Sequence, residues 1–334
     1  MDTVYPWLEP HWQRMQSRLR QQRLPHALLL NGPAGLGKRD FATRLAAGLL
    51  CESPLQDGQA CGQCPRCRLR LAGTHPDFIQ LGPQEGKQAI LIDQIRELTA
   101  RLGQTSHAGG YKAAILAPAD AMNTAAANSL LKTLEEPTDN TVIVLVTERP
   151  ARLPATIRSR CQLLRFQAPP QAQTLDWLRS RVDSDDPQLL LELADGAPLA
   201  ALELDRSGDV TARGQWLADM LKIQAGQTDP VEIAARWADN PEAAPVQWLG
   251  NWVMDMIRLL SDPGCRLRNR DLRSPLEQLA RSWTARQLFE RLDQIREVLR
   301  LLYTPVNRQL LIESLLIDWM KSHRQATTHR SISG

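Results

Sequence analysis

Gly32-Pro-Ala-Gly-Leu-Gly-Lys38 stands between a short apolar run, Ala27-Leu-Leu-Leu-Asn31, and an amphipathic stretch that begins at Lys38. Gly-x4-Gly-Lys between a strand and a helix is the spacing of a phosphate-binding P-loop. Glycines let backbone N–H groups converge on phosphate oxygens, the helix N-terminus adds partial positive charge, and the lysine reaches the β- and γ-phosphates. The candidate nucleotide-binding residues are therefore Gly32, Gly35, Gly37 and Lys38. The next position, where Ser or Thr would hold magnesium, is Arg39. The third apolar run, which should deliver a magnesium acid and a general base, ends in Ala117-Pro118, and neither can ligate a metal or accept a proton. Asp120 reads as a cap or turn residue. P-loop hydrolysis is positioning plus charge neutralisation around the metal, so this chain is expected to have no ATPase activity of its own. ATP binding through Lys38 stays open, the alternative being a loop kept for its shape.

Two further sets of residues carry chemistry. Cys51-x9-Cys61-x2-Cys64-x2-Cys67 places four thiols within seventeen residues, matching the four ligands of a tetrahedral zinc site. A closed four-sulfur site has no open position, so the zinc would be structural; four free cysteines are the alternative. Ser159-Arg160-Cys161 lies just ahead of the last apolar run, Gln162-Leu-Leu-Arg-Phe166. An arginine there could cross a subunit interface and neutralise charge on a neighbour's γ-phosphate, as an arginine finger does. The plainer reading is a surface arginine or a salt-bridge partner. Upstream, Asn128-Ser-Leu-Leu-Lys-Thr-Leu-Glu-Glu-Pro137 reads as an amphipathic helix. Its Leu130, Leu131 and Leu134 belong to a core, and Lys132, Glu135 and Glu136 to an interface or a solvated face.

These groups need a frame. Short apolar strands at 27–31, 77–81, 113–117, 142–146 and 162–166 alternate with helical patterns, which predicts a parallel five-stranded sheet covered on both faces. Beyond Ala168-Pro-Pro170 only helical patterns remain, and Trp216, Trp237, Trp248, Trp252, Trp283 and Trp319 are expected in a core. The composition, 43% hydrophobic and 23% charged with net charge +3, is that of an ordinary soluble protein. No run approaches the ~18 apolar residues of a membrane span, and Met1-Asp-Thr-Val-Tyr-Pro-Trp7 lacks a signal-peptide pattern. A cytoplasmic protein is expected, in which clustered cysteines favour metal over disulfides.

At Leu130-Leu-Lys-Thr-Leu-Glu-Glu-Pro137, Ser159-Arg-Cys161 and the four-cysteine insert, the chain resembles the clamp-loader subunits of bacterial DNA replication, within the AAA+ ATPases. Tyr5-Pro-Trp-Leu8 and Thr74-His-Pro-Asp77, with the missing acids, narrow the resemblance to one subunit class of that family. It is strong over about residues 1–170 and only compatible over the helical remainder. It implies an α/β P-loop AAA+ core at 1–167 with a zinc-binding insert at 51–67, a small helical lid domain at 168–207, an all-α collar domain for oligomerisation at 208–323, and a disordered tail at 324–334. The implied partners are motor ATPase subunits and a clamp-opening subunit in a hetero-pentameric ring. Through that complex, a component of the DNA polymerase III holoenzyme, they extend to a sliding clamp and primed DNA, with no membrane. The implied role is a rigid partner lending Arg160 to the ATP site of an adjacent motor subunit. Active relatives carry Gly-Ser-x-Arg in the lid; Gly196-Ala-Pro-Leu199 has lost that nucleotide-sensing arginine. The competing readings are an active AAA+ ATPase of DNA replication and a zinc-dependent nucleic-acid-binding module.

Overall fold

The computed structural model describes residues 5–107, 109–240, 243–302, 304 and 306–332. The chain divides into two compact units. One is built on the residues up to Trp177 together with Gly196–Ala200, the other on Leu178–Asp195 and the residues from Ala201 onward.

The first unit runs α1 (Glu9–Arg20), β1 (Ala27–Asn31), α2 (Lys38–Leu50), α3 (Pro65–Leu71), β2 (Phe78–Leu81), α4 (Ile92–Gly103), β3 (Lys112–Leu116), α5 (Thr124–Glu135), β4 (Thr141–Thr147), α6 (Ala155–Arg160) and β5 (Gln162–Arg165). The five strands form one parallel sheet in the order β2-β3-β4-β1-β5. β4 reads Thr-Val-Ile-Val-Leu-Val-Thr and is buried throughout, as a β-branched run at the centre of a doubly covered sheet must be. The period-2 alternation of strand side chains sorts the core into two layers. Leu28, Leu30, Ile115, Val142 and Val144 face Trp12, Met15, Phe41 and Leu45 of α1 and α2. Leu29, Leu116, Ile143 and Leu145 face Ile95, Leu98, Leu130, Leu134 and Ile157 of α4, α5 and α6. α5 starts where Asn123 Oδ1 accepts from the Ala126 N–H at 2.8 Å and stops ahead of Pro137.

The N-terminal edge of β3 is held by one buried cation. Lys112 is 4% exposed, and its Nζ donates to Leu102 O at 2.5 Å, Gln104 O at 2.7 Å and Thr138 Oγ1 at 2.7 Å. All three ammonium donors are used, and the end of α4 and the turn after α5 are tied to the sheet through them. Burial pushes the Lys112 pKa down, against the opposing pull of Asp77 and Asp139.

After β5 the chain is helical: α7 (Gln171–Arg179), α8 (Pro187–Leu193), α9 (Pro198–Ser207), α10 (Asp209–Gln224), α11 (Pro230–Ala238), α12 (Ala244–Ser261), α13 (Arg273–Ala280), α14 (Ala285–Leu301) and α15 (Arg308–Ile332). Trp237, Trp248, Trp252, Trp283 and Trp319 are buried in its core and Trp216 packs against it half-buried. Asp255, fully buried, accepts from Asn269 N and Nδ2 at 2.9 and 2.8 Å and from Arg258 Nη1 at 2.8 Å. The segment 168–207, expected as one lid, is shared between the units. Leu189 and Leu193 lie in the helical core, whereas Ala197, Leu199 and Ala200 pack with the sheet.

The strand expectations hold to within a residue or two at each end. Four short helices were not expected: α3, α6, α11 and α13. α15 runs to Ile332 and so includes most of the stretch from residue 324 that was expected as a tail. No Pro or Gly interrupts the stretch from Arg308 to Ile332, so nothing in the backbone chemistry ends the helix there. Ser333 and Gly334 lie outside the described residues.

Lys112→Met keeps the aliphatic stem but leaves three buried acceptors without their donor. It should cost about 2–4 kcal/mol in urea unfolding of the sheet unit, whereas Lys87→Met, at an exposed position, should change stability by no more than about 0.5 kcal/mol.

Candidate functional site

β1 delivers the chain into Gly32–Gly37 at the C-terminal edge of the sheet, and α2 begins at Lys38. Gly37 caps α2 at φ +82° and Gly35 sits at φ +71°, both in the left-handed region that favours glycine. A Cβ on Gly35 would come within 2.5 Å of Ala200 N, and Leu199 N donates to Gly35 O at 3.0 Å. Gly196–Ala200, where the nucleotide-sensing arginine was expected to be missing, therefore backs the loop directly. On another side, Trp7 Nε1 donates to Leu36 O at 3.1 Å. The Trp7 ring stacks on Tyr5 with centroids 5.0 Å apart, and Trp177 packs edge-on against both. Lys38 is 5% exposed and turns back on its own loop, with Nζ donating to Pro33 O at 2.5 Å. Burial pushes its pKa down, and only the nearby Glu148 carboxylate works the other way.

Across a cleft of about 500 Å³ stand Ala117, Pro118, Asp120, Thr147, Glu148 and Arg149. Asp120, expected as a turn residue, lies in a 3-10 turn but also anchors this wall. Its carboxylate is 2% exposed. Oδ1 accepts from Thr147 Oγ1 at 2.7 Å, and Oδ2 accepts from Arg149 Nε at 2.9 Å and forms an ion pair with Nη2 at 2.9 Å. A charge-assisted hydrogen bond of this kind is stronger than a neutral one. The acid nearest the end of β3 is thus already neutralised by a fixed cation. Of the other acids lining the cleft, Asp40 Oδ2 accepts from Tyr5 OH at 3.1 Å, and Glu148 faces Lys38. Thr147, Glu148 and Arg149 were missed in the sequence. The signal available was their place directly at the C-terminal end of β4, where parallel sheets gather ligand-facing residues.

Arg160 ends α6, immediately before Cys161 and β5. β5 runs parallel to β1 with Gln162 opposite Leu28, so Arg160 stands at the N-terminal edge of the sheet. The phosphate loop is at the other edge, one strand length or roughly 15 Å away. Arg160 Nη1 donates to Thr156 O at 2.9 Å, and Nη2 pairs with the Glu135 carboxylate at the end of α5. Glu135, expected at an interface or on a solvated face, is thus the partner of the candidate finger. Arg158 is exposed. Lys132 and Glu136 line a groove between α4 and α5.

The four cysteines converge between α2 and α3. Their Sγ atoms all lie within 4.8 Å of one another. Cys51 Sγ is 3.5 Å from Cys61 Sγ and 3.9 Å from Cys64 Sγ, and Cys61 Sγ is 4.0 Å from Cys67 Sγ. Zn–S bonds of about 2.3 Å give a tetrahedron with edges of about 3.8 Å, so the cluster has the size zinc requires. Backbone N–H groups of Gln63 and Cys64 pull the Cys61 thiol down to about 6, while burial pushes Cys67 up to about 12.

A family model described as DNA polymerase III, delta subunit, matches residues 7–170, and one described as DNA polymerase III, delta subunit, C terminal, matches residues 207–321. The DNA polymerase III subunit delta' of Pseudomonas aeruginosa is 38% identical over 328 residues, covering 96% of this chain and 98% of that protein. The protein of the same name from Escherichia coli is 35% identical over 319 residues, covering 94% of each. Among solved structures, a DNA polymerase III gamma subunit-related protein from Thermotoga maritima has a TM-score of 0.48 at 17% identity, covering 92% of this chain and 99% of that one. The chain belongs to the delta' family of DNA polymerase III clamp-loader subunits.

Proposed function

We propose that this chain is a non-hydrolysing clamp-loader subunit that completes the ATP site of a neighbouring motor subunit with Arg160. The position of Arg160 carries this reading. It stands at the edge of the sheet away from its own phosphate loop, held half-exposed at the surface by Glu135 and Thr156. An arginine so placed has no nucleotide of its own chain to serve, and a neighbour in a ring can present one. A guanidinium is charged at every accessible pH and offers five donors, which suits it to the three equatorial oxygens of a transferring phosphoryl group.

The chain's own cleft supports the same reading. Arg39 and Ala117-Pro118 hold no magnesium, and the Asp120 carboxylate is taken by Thr147 and Arg149. Lys38 would have to leave Pro33 O to meet a phosphate. The partners would be the motor ATPases and a clamp-opening subunit in a five-membered ring, which together load a sliding clamp onto primed DNA. In a reconstituted loader, Arg160→Ala should slow clamp- and DNA-stimulated ATP turnover, by the ~10³-fold a finger is worth at its own site diluted by the other sites. The chain alone with magnesium should be silent. Wild-type turnover without Arg160, or turnover by the isolated chain, would contradict the proposal.

Cys51, Cys61, Cys64 and Cys67 would hold a structural zinc ion that fastens α3 to the end of α2. A bound ion supplies the cross-link that four thiolates cannot provide for one another. The expected content is one zinc per chain, lost in Cys64→Ser. Chelation should raise amide exchange over 51–72 and leave the protection of β1 and β4 intact. A metal-free preparation with the same protection over 51–72 would remove zinc from the account.

A further inference from the structure

We infer that Glu135 is a positioning residue for Arg160, holding the guanidinium in the orientation in which it meets the neighbour's nucleotide. The inference rests on the arginine-finger reading and adds to it the group that aims the finger. Arg160 is gripped from two elements at once. α6 supplies the Thr156 carbonyl to Nη1 at 2.9 Å, with Ser159 Oγ at 3.5 Å, and the last residue of α5 supplies the Glu135 carboxylate to Nη2. A hydrogen bond at Nη1 and an ion pair at Nη2 hold the planar fork at two points, which restrains its direction as well as its place. The Nε–H and the second Nη2–H make no hydrogen bond among the described residues, so donors remain for a phosphate.

The seat is itself braced. His26, just ahead of β1, has Nε2 at 3.0 Å from Leu134 O. A carbonyl only accepts, so Nε2 donates, and the end of α5 is tied to the sheet one residue before Glu135. His26 N-terminally extends β1 level with Arg160, given that Leu28 lies opposite Gln162.

The exposure of the pair decides what kind of role this is. The Arg160 and Glu135 side chains are 35% and 47% exposed. Ion pairs this open contribute little to folding, so stability does not account for the arrangement, and the arginine is not locked away from an incoming phosphate. The gain is orientational. A long, rotamer-rich side chain is ordered before the partner arrives, which lowers the entropy lost when it engages the transition state.

The test uses the reconstituted loader with wild-type chain, Glu135→Ala, Glu135→Gln, Arg160→Ala and the double variant, with ATP turnover resolved into kcat and KM. At the site that Arg160 serves, Glu135→Ala should lower kcat roughly 10-fold, between the small worth of an exposed pair and the ~10²-fold cost of misplacing a catalytic group by an ångström, with the other sites diluting the loss as for Arg160→Ala. KM for ATP should stay put. Glu135→Gln keeps an acceptor oxygen in the same place and should recover most of the loss. Added to Arg160→Ala, Glu135→Ala should cost nothing more, because its effect runs through that side chain. In the isolated chain, the Arg160 Nε–H heteronuclear NOE should fall in Glu135→Ala. Unchanged kcat, an equal loss in the Arg160→Ala background, or an Arg160 side chain equally ordered without Glu135 would each overturn the inference. If Arg160→Ala itself leaves turnover untouched, the finger reading falls and takes the catalytic half of this inference with it. The NOE then still decides whether Glu135 orders Arg160.

Discussion

A parallel sheet has two unlike edges, and the candidate phosphate loop and Arg160 stand at opposite ones. All strands end at one edge, where loops and helix N-termini meet and anions are bound. All strands begin at the other, where the polypeptide arrives from the helices. β1 and β5 run parallel in fixed register, so Gly32–Lys38 and Arg160 cannot be brought together without breaking that pairing. The proposed finger role of Arg160 is therefore one toward another chain's phosphate.

At the phosphate edge, the chain keeps the shape of a nucleotide site while its charges are turned inward. Lys38 donates to its own loop, and Asp120 is neutralised by Arg149. The aromatic stack of Tyr5, Trp7 and Trp177 and the Gly196–Ala200 segment close on the loop from outside. The loop is thus held by contacts within its own unit, in keeping with the proposed role of a rigid partner. Lys112 and the buried Asp255–Asn269 pair do the same at a distance, tying edges and loops to elements that are already packed.

The sheet was legible in the sequence because its signals are local: short β-branched runs, a glycine loop, and helices at 3.6-residue spacing. The four cysteines were legible for the same reason, and they converge. What was not legible is long-range pairing. Arg160 could be singled out from Ser159-Arg-Cys161, but nothing in the chain says that Glu135, on another helix, receives it. Asp120 was set aside as a turn residue because its partners Thr147 and Arg149 lie beyond a whole helix and strand. The missed helices are short, and their cues sit at their starts: Asp229 caps α11 before Pro230, and Cys64 caps α3 before Pro65. The single lid expected at 168–207 was an assignment by resemblance. Apolar periodicity alone did not say that Leu189 and Leu199 would join different cores.

The most direct test of Arg160 as a finger compares what it does for a transition state with what it does for a ground state. An interaction made only in the transition state strengthens binding of a transition-state mimic and leaves substrate affinity alone. The measurement is the affinity of the reconstituted loader for ADP with aluminium fluoride and, separately, for a non-hydrolysable ATP analogue, with wild-type chain and with Arg160→Ala. Loss of affinity for the fluoride complex at one motor site, with the analogue bound as before, is the expected result. Equal affinities for both ligands in the two assemblies, or an equal loss for both, would mean that Arg160 does not act on the reacting phosphate.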